Sequence, residues 1–333
     1  MKKYTHAWLA LKAIQVLESY VGKLNAQRNE HLDELLKFIS RYPDTFVRGA
    51  WFPDEVIADN VLGGHTWKYF LDDANGRVET RRPPGHNNCL QVVKDRLDQR
   101  VSLDLRSSAL PDRCEALSQM IRDIILITNK LKSGDVVAFN DSQVALSLLM
   151  LAHYICDAHV PVHCDNRDFN DPSKVHEDLE GYWENEVQGN CRISPRKEQF
   201  DLDEDSQVDV AVDKTAYKAS LLGQTEAVLA QTRWEETTAS ATNWHVPLGK
   251  GNNNFWDYTV SVCLVSFQVS QQLFPLNPPS GIDYNTVRIT KTSPFRESVT
   301  ELSPKILADA IDSTALLWLA AWERWRLLKK GVQ

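Results

Sequence analysis

Positive charge is scarce in this chain: 37 Lys and Arg stand against 45 Asp and Glu, a formal net charge of −8. That balance argues against a strongly basic nucleic-acid binder, whose affinity comes from many phosphate contacts. It leaves room for an enzyme that grips phosphate through metal ions. Cysteine is sparse as well. Cys89, Cys114, Cys156, Cys164, Cys191 and Cys263 are dispersed, with no C-x-x-C pair. This pattern excludes a zinc ribbon and a small disulfide-built scaffold. Free thiols are expected, with Cys164 packed beside His163 rather than ligating. No uninterrupted apolar run reaches the ~18 residues of a membrane span. The nearest, "ILADAIDSTALLWLAAWERWRLLKK", is broken by Asp309 and Asp312. Leu316, Leu319 and Ala320 recur there at helical spacing, so it reads as a core helix, with peripheral membrane contact as the alternative. The opening "MKKYTHAWLALKAIQVLESY" lacks the apolar core and the small-residue cleavage site of an export signal. It reads as an amphipathic helix, and the compartment stays open.

No internal repeat and no Gly/Ser-rich linker divides the 333 residues, and helical periodicity dominates. The spacing predicts helices over "THAWLALKAIQVLESYVGKL", with Thr5 as cap, and over "RNEHLDELLKFISRY", ended by Pro43. His31, among charged neighbours in the second helix, reads as exposed. Residues 43 to about 112 read as irregular, and a long irregular stretch in a helical chain usually carries function. Helices resume with "PDRCEALSQMIRDIILITNKLKSG", "NDSQVALSLLMLAHYICDAH" and "HEDLEGYWENEV". One long helix is predicted over "VDVAVDKTAYKASLLGQTEAVLAQTRWEE", and another over "NFWDYTVSVCLVSFQVSQQLF" on account of its length. "NPPSGIDYNTVRITKTSP" reads as a loop with room for a short strand. The expectation is a single all-α domain over 1–333, a multi-helix bundle whose segments over 207–330 complete the core.

Histidine is the third scarce residue, with nine in all, yet four lie in "AHYICDAHVPVHCDNRDFNDPSKVHEDLEGYWE", residues 152 to 184. His153 and Asp157 are four apart near the end of an otherwise apolar helix, so both project from one face. Burying an imidazole and a carboxylate costs several kcal/mol unless something compensates (roughly 2–7 kcal/mol for an unpaired polar group). A single such pair is more often a hydrogen-bonded pair than a ligand set. Here, however, His163 follows Pro161, and His176 and Glu180 repeat the four-residue spacing on the next helix. Two pairs and a third histidine in one stretch shift the balance to metal binding.

The pattern then extends beyond the stretch. "HYICDAHVPVH" has a His, an acid four residues on, and a second His ten residues after the first; "HEDLE" follows. Upstream, "THAWLA" supplies His6, "GAWFPDEV" Asp54 and "GGHTWKYF" His65. In these motifs, over residues 1 to about 185, the chain resembles the zinc-dependent phospholipase C and S1/P1 nuclease superfamily. The resemblance implies a helical fold of that type and three zinc ions. One zinc would take Asp54, His65, His153 and Asp157; a second His163, His176 and Glu180. The third would take His6, the second oxygen of Asp157, and the amine and first carbonyl of Met1. That last position departs from the family, which usually has a tryptophan exposed by removal of a leader. Asp54 is the candidate to orient or deprotonate the attacking water.

The activity so implied is zinc-dependent phosphodiester hydrolysis, first of all of a phospholipid between glycerol and phosphate. Glu180 after His176, and the "THAWLALKAI" and "GAWFPDEV" segments, look like the phospholipase branch. The Met1 to His6 spacing supports the alternative, a nuclease acting on single strands. A zinc-binding protein without catalysis is a third reading, although mixed His and carboxylate ligands suit open catalytic sites better. An HD-type phosphohydrolase is excluded, because the chain has no His-Asp dipeptide. His159 is read as structural or supporting, and no role is assigned to His86 or His245. Trp51, Trp67 and Trp183 flank ligand positions and fit cleft wall and core equally.

Overall fold

The structure, a computed structural model, describes residues 1–42, 49–55, 65–72, 77–80, 110–130, 141–167, 169–170, 172–191, 193–194, 199–200, 214–231, 255–278 and 280–330. It is predominantly helical, as the periodicity requires. In chain order come α1 (Lys3–Tyr20), α2 (Ala26–Ile39), the short α3 (Phe52–Glu55), β1 (Tyr69–Asp72), β2 (Arg77–Thr80), α4 (Leu110–Lys130) and α5 (Asp141–Ala158). A 3₁₀ turn over Pro161–His163 leads to α6 (Val175–Asn190), then β3 (Ile193–Ser194), β4 (Gln199–Phe200), α7 (Lys214–Ala219), α8 (Leu221–Leu229), α9 (Phe255–Leu273) and α10 (Arg296–Lys330).

Helix α10 is the axis of the packing and lies against α8, α1, α4, α5 and α2. Its residues Leu307, Ile311, Ala315, Leu317 and Trp318 are fully enclosed, so the apolar run is core. Among the described residues no helix is long and apolar enough to cross a membrane. Helix α5 is nearly as enclosed, with Leu148, Leu151, Tyr154 and Ile155 buried around its circumference. The strands are small additions to this helical body. β1 pairs antiparallel with β2, Tyr69 opposite Thr80, and β3 with β4.

Four local expectations are corrected. Thr5 does not cap α1; the helix starts at Lys3, and the cap position, Lys2, makes no side-chain cap bond. The orphan N–H groups of that first turn are taken instead by another helix. Glu184 of α6 accepts from Tyr4 N at 3.2 Å, from Thr5 N at 2.9 Å and from the Thr5 hydroxyl at 2.8 Å. His31 is buried rather than exposed, 3.6 Å from Glu323 of α10. The long helix predicted after residue 207 is two, α7 and α8. Ser220 breaks it by accepting from Gly223 N as the cap of α8. Within residues 43–112, the described parts include α3 and the β1–β2 hairpin. The segment after α9 is loop throughout its described residues. Cys114, Cys156, Cys164, Cys191 and Cys263 are free and buried. Pro43, His86, Cys89 and His245 lie outside the described residues.

Candidate metal centre

Helix α5 ends at Ala158, and the chain turns at once. His159 N and Val160 N bond back to the Cys156 and Asp157 carbonyls. Pro161, with its fixed φ and missing N–H, opens the 3₁₀ turn. This turn brings His163 around to the side where His153 and Asp157 project. The next segment is stitched to an earlier one by backbone bonds. Trp67 N donates to His163 O, Tyr69 N to Cys164 O at 2.8 Å, and Asn166 N to Tyr69 O at 2.8 Å. That ladder sets His65 beside the 163–166 strip. On the other flank, Gly49 lets the 49–55 segment press on α5, because a Cβ there would stand 2.6 Å from Leu149 Cβ. The adjacent Ala50 carbonyl accepts from His153 Nδ1 at 2.7 Å.

The result is that all nine residues singled out from the sequence lie at one place. Three groups present ligand atoms to a common centre: Asp54, His65 and His153; His163, His176 and Glu180; His6, His153 and Asp157. Asp157 joins them. Its Oδ2 stands 2.7 Å from His65 Nδ1 and 3.3 Å from His153 Nε2. Its Oδ1 faces the Met1 amine at 2.7 Å, His6 Nε2 at 3.4 Å and His163 Nδ1 at 3.7 Å. The Met1 amine also lies 2.8 Å from Glu180 Oε1. Asp54 is the most exposed member; its Oδ1 is 3.7 Å from His65 Nε2 and 3.6 Å from His153 Nε2. The centre floors a cleft of about 680 Å³, lined also by Trp51, Phe169, Asn170 and three lysines.

The donor set fits a divalent metal. In the second group, His163 Nε2, His176 Nε2 and Glu180 Oε1 form a triangle with sides of 3.0, 3.2 and 3.0 Å. Tetrahedral zinc with bonds of 2.0–2.1 Å separates its ligands by roughly 3.3 Å. His176 Nδ1 donates to Asn170 Oδ1 at 2.7 Å, which turns Nε2 toward the triangle. His153 is oriented the same way by Ala50. Four buried ring nitrogens in the cluster, His6 Nδ1 and Nε2, His65 Nε2 and His163 Nδ1, have no hydrogen-bond partner. A buried polar atom left so is costly, and a cation bound at the ligand-facing nitrogens would relieve that cost.

Electrostatics keeps two of the buried histidines, His6 and His163, in the ligand form. Burial pushes the His6 imidazole down to about 3, aided by His153 and the terminal amine. Burial likewise lowers His163 to about 4, although Asp157 and Glu180 pull the other way. For Asp157 burial opposes ionisation, but the amine and the surrounding rings hold the carboxyl well below its usual range. Burial also disfavours the charged Met1 amine, yet Asp157, Glu180 and Asp54 together raise it to about 11. Without metal, the ammonium is therefore the cation that balances the two carboxylates.

The remaining candidates divide. His159 turns away from the cleft and bonds Ile155 O and Ser313, a structural role. Trp67 and Trp183 are core, while Trp51 lines the cleft with little exposed surface. Sequence reasoning missed Glu184, Asn170 and the lysines. Glu184 had a visible signal, since it extends the His176, Glu180 spacing by four more residues. Compared with protein-family models, with curated proteins and with solved structures, the chain matches none.

Proposed function

We propose that the protein is a zinc-dependent phosphodiester hydrolase of the phospholipase C type. The observation that carries the reading is the convergence of three ligand groups on the one carboxylate of Asp157, at the floor of an open cleft. A cluster meant only to hold metal would be closed by protein ligands; here Asp54 and His176 retain access to solvent. The helical fold and the order of the ligands along the chain agree with the phospholipase C and S1/P1 resemblance.

Asp54, His65, His153 and Asp157 would hold one zinc, and His163, His176 and Glu180 a second. His6, Asp157 and the Met1 amine would hold the third once the amine gives up its proton. Zinc so bound supplies phosphate charge neutralisation and a water whose pKa falls toward ~7. The chain's own groups do the rest. Asp54, at the mouth, accepts the proton of the attacking water and orients it. Ala50 and Asn170 fix the tautomers of His153 and His176, so that their Nε2 lone pairs face inward. The lysines of the lining draw an anionic ester into the cleft.

The alternative within the same chemistry is a single-strand nuclease. The test offers the zinc-loaded protein phospholipid and single-stranded DNA in parallel, with a chelated control. Chelator-sensitive release of the phosphorylated head group with DNA intact supports the phospholipase reading. DNA cleavage with lipid intact replaces it by the nuclease. Inactivity on every phosphodiester, with zinc still bound, leaves a non-catalytic zinc protein.

A further inference from the structure

The cleft carries a second chemical feature besides its ligand groups. Lys2, Lys3 and Lys68 all line it, and each stands beside a different part of the cluster. Lys3 places its ammonium 3.6 Å from the centre of the Trp51 ring, three residues from Asp54. Lys68 donates to the Val162 carbonyl at 3.1 Å, next to His163. Lys2 lies against α6 one residue past Glu180, where a Cβ added at Gly181 would stand 3.8 Å from its Nζ.

Two aromatic rings share this lining, Trp51 and Phe169. An aromatic face beside a phosphate site is what holds a quaternary ammonium head group, and what a nucleobase stacks on. Here each ring already carries one of the protein's own cations. Lys3 sits over Trp51, and the Arg167 guanidinium carbon lies 4.9 Å from the Phe169 centroid. A choline head group entering this cleft would meet the Lys3 ammonium where it needs the open face of Trp51. It would find Phe169 already covered by Arg167, whose charge is paired with Asp165 at 2.7 Å. A head group without a cation meets three ammonium groups. The carboxylates of the lining are committed elsewhere, Asp54, Asp157 and Glu180 to the ligand groups and Glu184 to the first turn of α1.

We infer that the substrate is a net-anionic phospholipid, one whose head group has no quaternary ammonium, rather than phosphatidylcholine. This rests on the phosphodiesterase reading above. The test uses the zinc-loaded full chain and has three arms. Chelator-sensitive hydrolysis of bis(p-nitrophenyl) phosphate, which has no head-group cation, checks the chemistry alone. Turnover of dihexanoyl phosphatidylglycerol is compared with that of dihexanoyl phosphatidylcholine and of single-stranded DNA. Calorimetry measures the binding of glycerol phosphate against phosphocholine, which needs no turnover.

Preference for phosphatidylglycerol, with glycerol phosphate bound more tightly by about fivefold or more, is expected, since one lysine near an anionic group is worth ~1 kcal/mol. Lys3→Met keeps the aliphatic stem over Trp51 and removes the charge. It should shrink the preference about fivefold, chiefly by improving phosphocholine binding, with bound zinc unchanged. Lys68→Met, away from the first turn of α1, should lower glycerol phosphate affinity and serves if the first variant misfolds. Equal or tighter phosphocholine binding with model-ester hydrolysis intact would overturn the inference and leave the phosphodiesterase standing. Faster cleavage of DNA than of either lipid overturns the lipid class. Absence of all chelator-sensitive hydrolysis overturns both.

Discussion

Two of the buried histidines around the turn after α5, His153 and His159, share one anchoring contact and differ in role through what faces the other ring nitrogen. His153 and His159 are 1% and 3% exposed, and each Nδ1 donates to a backbone carbonyl at 2.7 Å. What differs is the partner of the second nitrogen. His153 Nε2 points into the cleft, 3.2 Å from His65 Nδ1 and 3.3 Å from Asp157 Oδ2. His159 Nε2 points the other way, 3.4 Å from the carboxylate of Asp309 and 3.2 Å from the Ser313 hydroxyl, which Tyr258 in turn donates to at 2.8 Å. One side of the turn leaves a lone pair among other lone pairs and carboxylates. The other closes a hydrogen-bond chain to α9 and α10. Burial alone therefore does not separate a ligand from a structural histidine; the group facing the second nitrogen does.

The largest expected effect is on the cleft side. Asp157→Asn removes the carboxylate that faces all three groups, so bound zinc per chain and chelator-sensitive activity should both collapse. The loss should exceed the ~10–100-fold typical of an outer partner. Retention of full zinc would show that Asp157 is only a hydrogen-bond acceptor. On the other side, His159→Gln should leave zinc content intact and cost about 1–3 kcal/mol of stability through the broken chain to Ser313. Loss of metal in that variant would erase the contrast between the two faces.

The pH response of the metal-free protein sharpens the same contrast, because the titrating groups belong to the cleft. His6 and His163, held near 3 and 4 against an ordinary 6.5, take up protons more readily in the unfolded chain. Stability therefore falls as pH drops below 6.5. His65 works against this: burial lowers it, but Asp157 raises it more, so its contribution is present below 6.5 and lost above. Two rings outweigh one. The Met1 amine, raised from 8.0 to about 11, contributes fully below 8.0 and loses that contribution as pH climbs toward 11. Melting in chelator should peak between pH 6.5 and 8.0. A peak well below 6.5 would mean that the rings are protonated in the fold.

The smallest effect concerns the contact that seats α1. Glu184→Ala should cost ~0.5–2 kcal/mol, as for a lost helix cap, and weaken metal at the His6 and Met1 group more than at His163, His176 and Glu180. Glu184→Gln, keeping one acceptor oxygen, should recover part of both. Equal weakening of every group in a zinc titration would make Glu184 a general stabiliser rather than an anchor of the terminus.

The errors and successes of sequence reading share one cause, the range of the interaction. His153 with Asp157 and His176 with Glu180 were legible because helical geometry puts residues four apart on one face whatever surrounds them. Thr5 was misassigned because the first turn of α1 is capped from α6, 179 residues away in the chain. His31 was misread because its charged flanks say nothing about α10 folding over it. The break at Ser220 had a local signal, a capping residue just before an apolar pair, outweighed by the periodicity on either side.

By itself, then, the sequence determined the helical class, the residue types able to hold metal and the two local ligand pairs, all consequences of spacing along a regular backbone. Only the tertiary structure decided that Met1, His6 and His65 reach the Asp157 carboxylate, and that Asp54 faces His65 and His153 beside it. It also decided that Lys3 covers the ring of Trp51. Those contacts join segments separated by tens to over a hundred residues. They follow from how the buried faces of the helices pack, which no local spacing encodes.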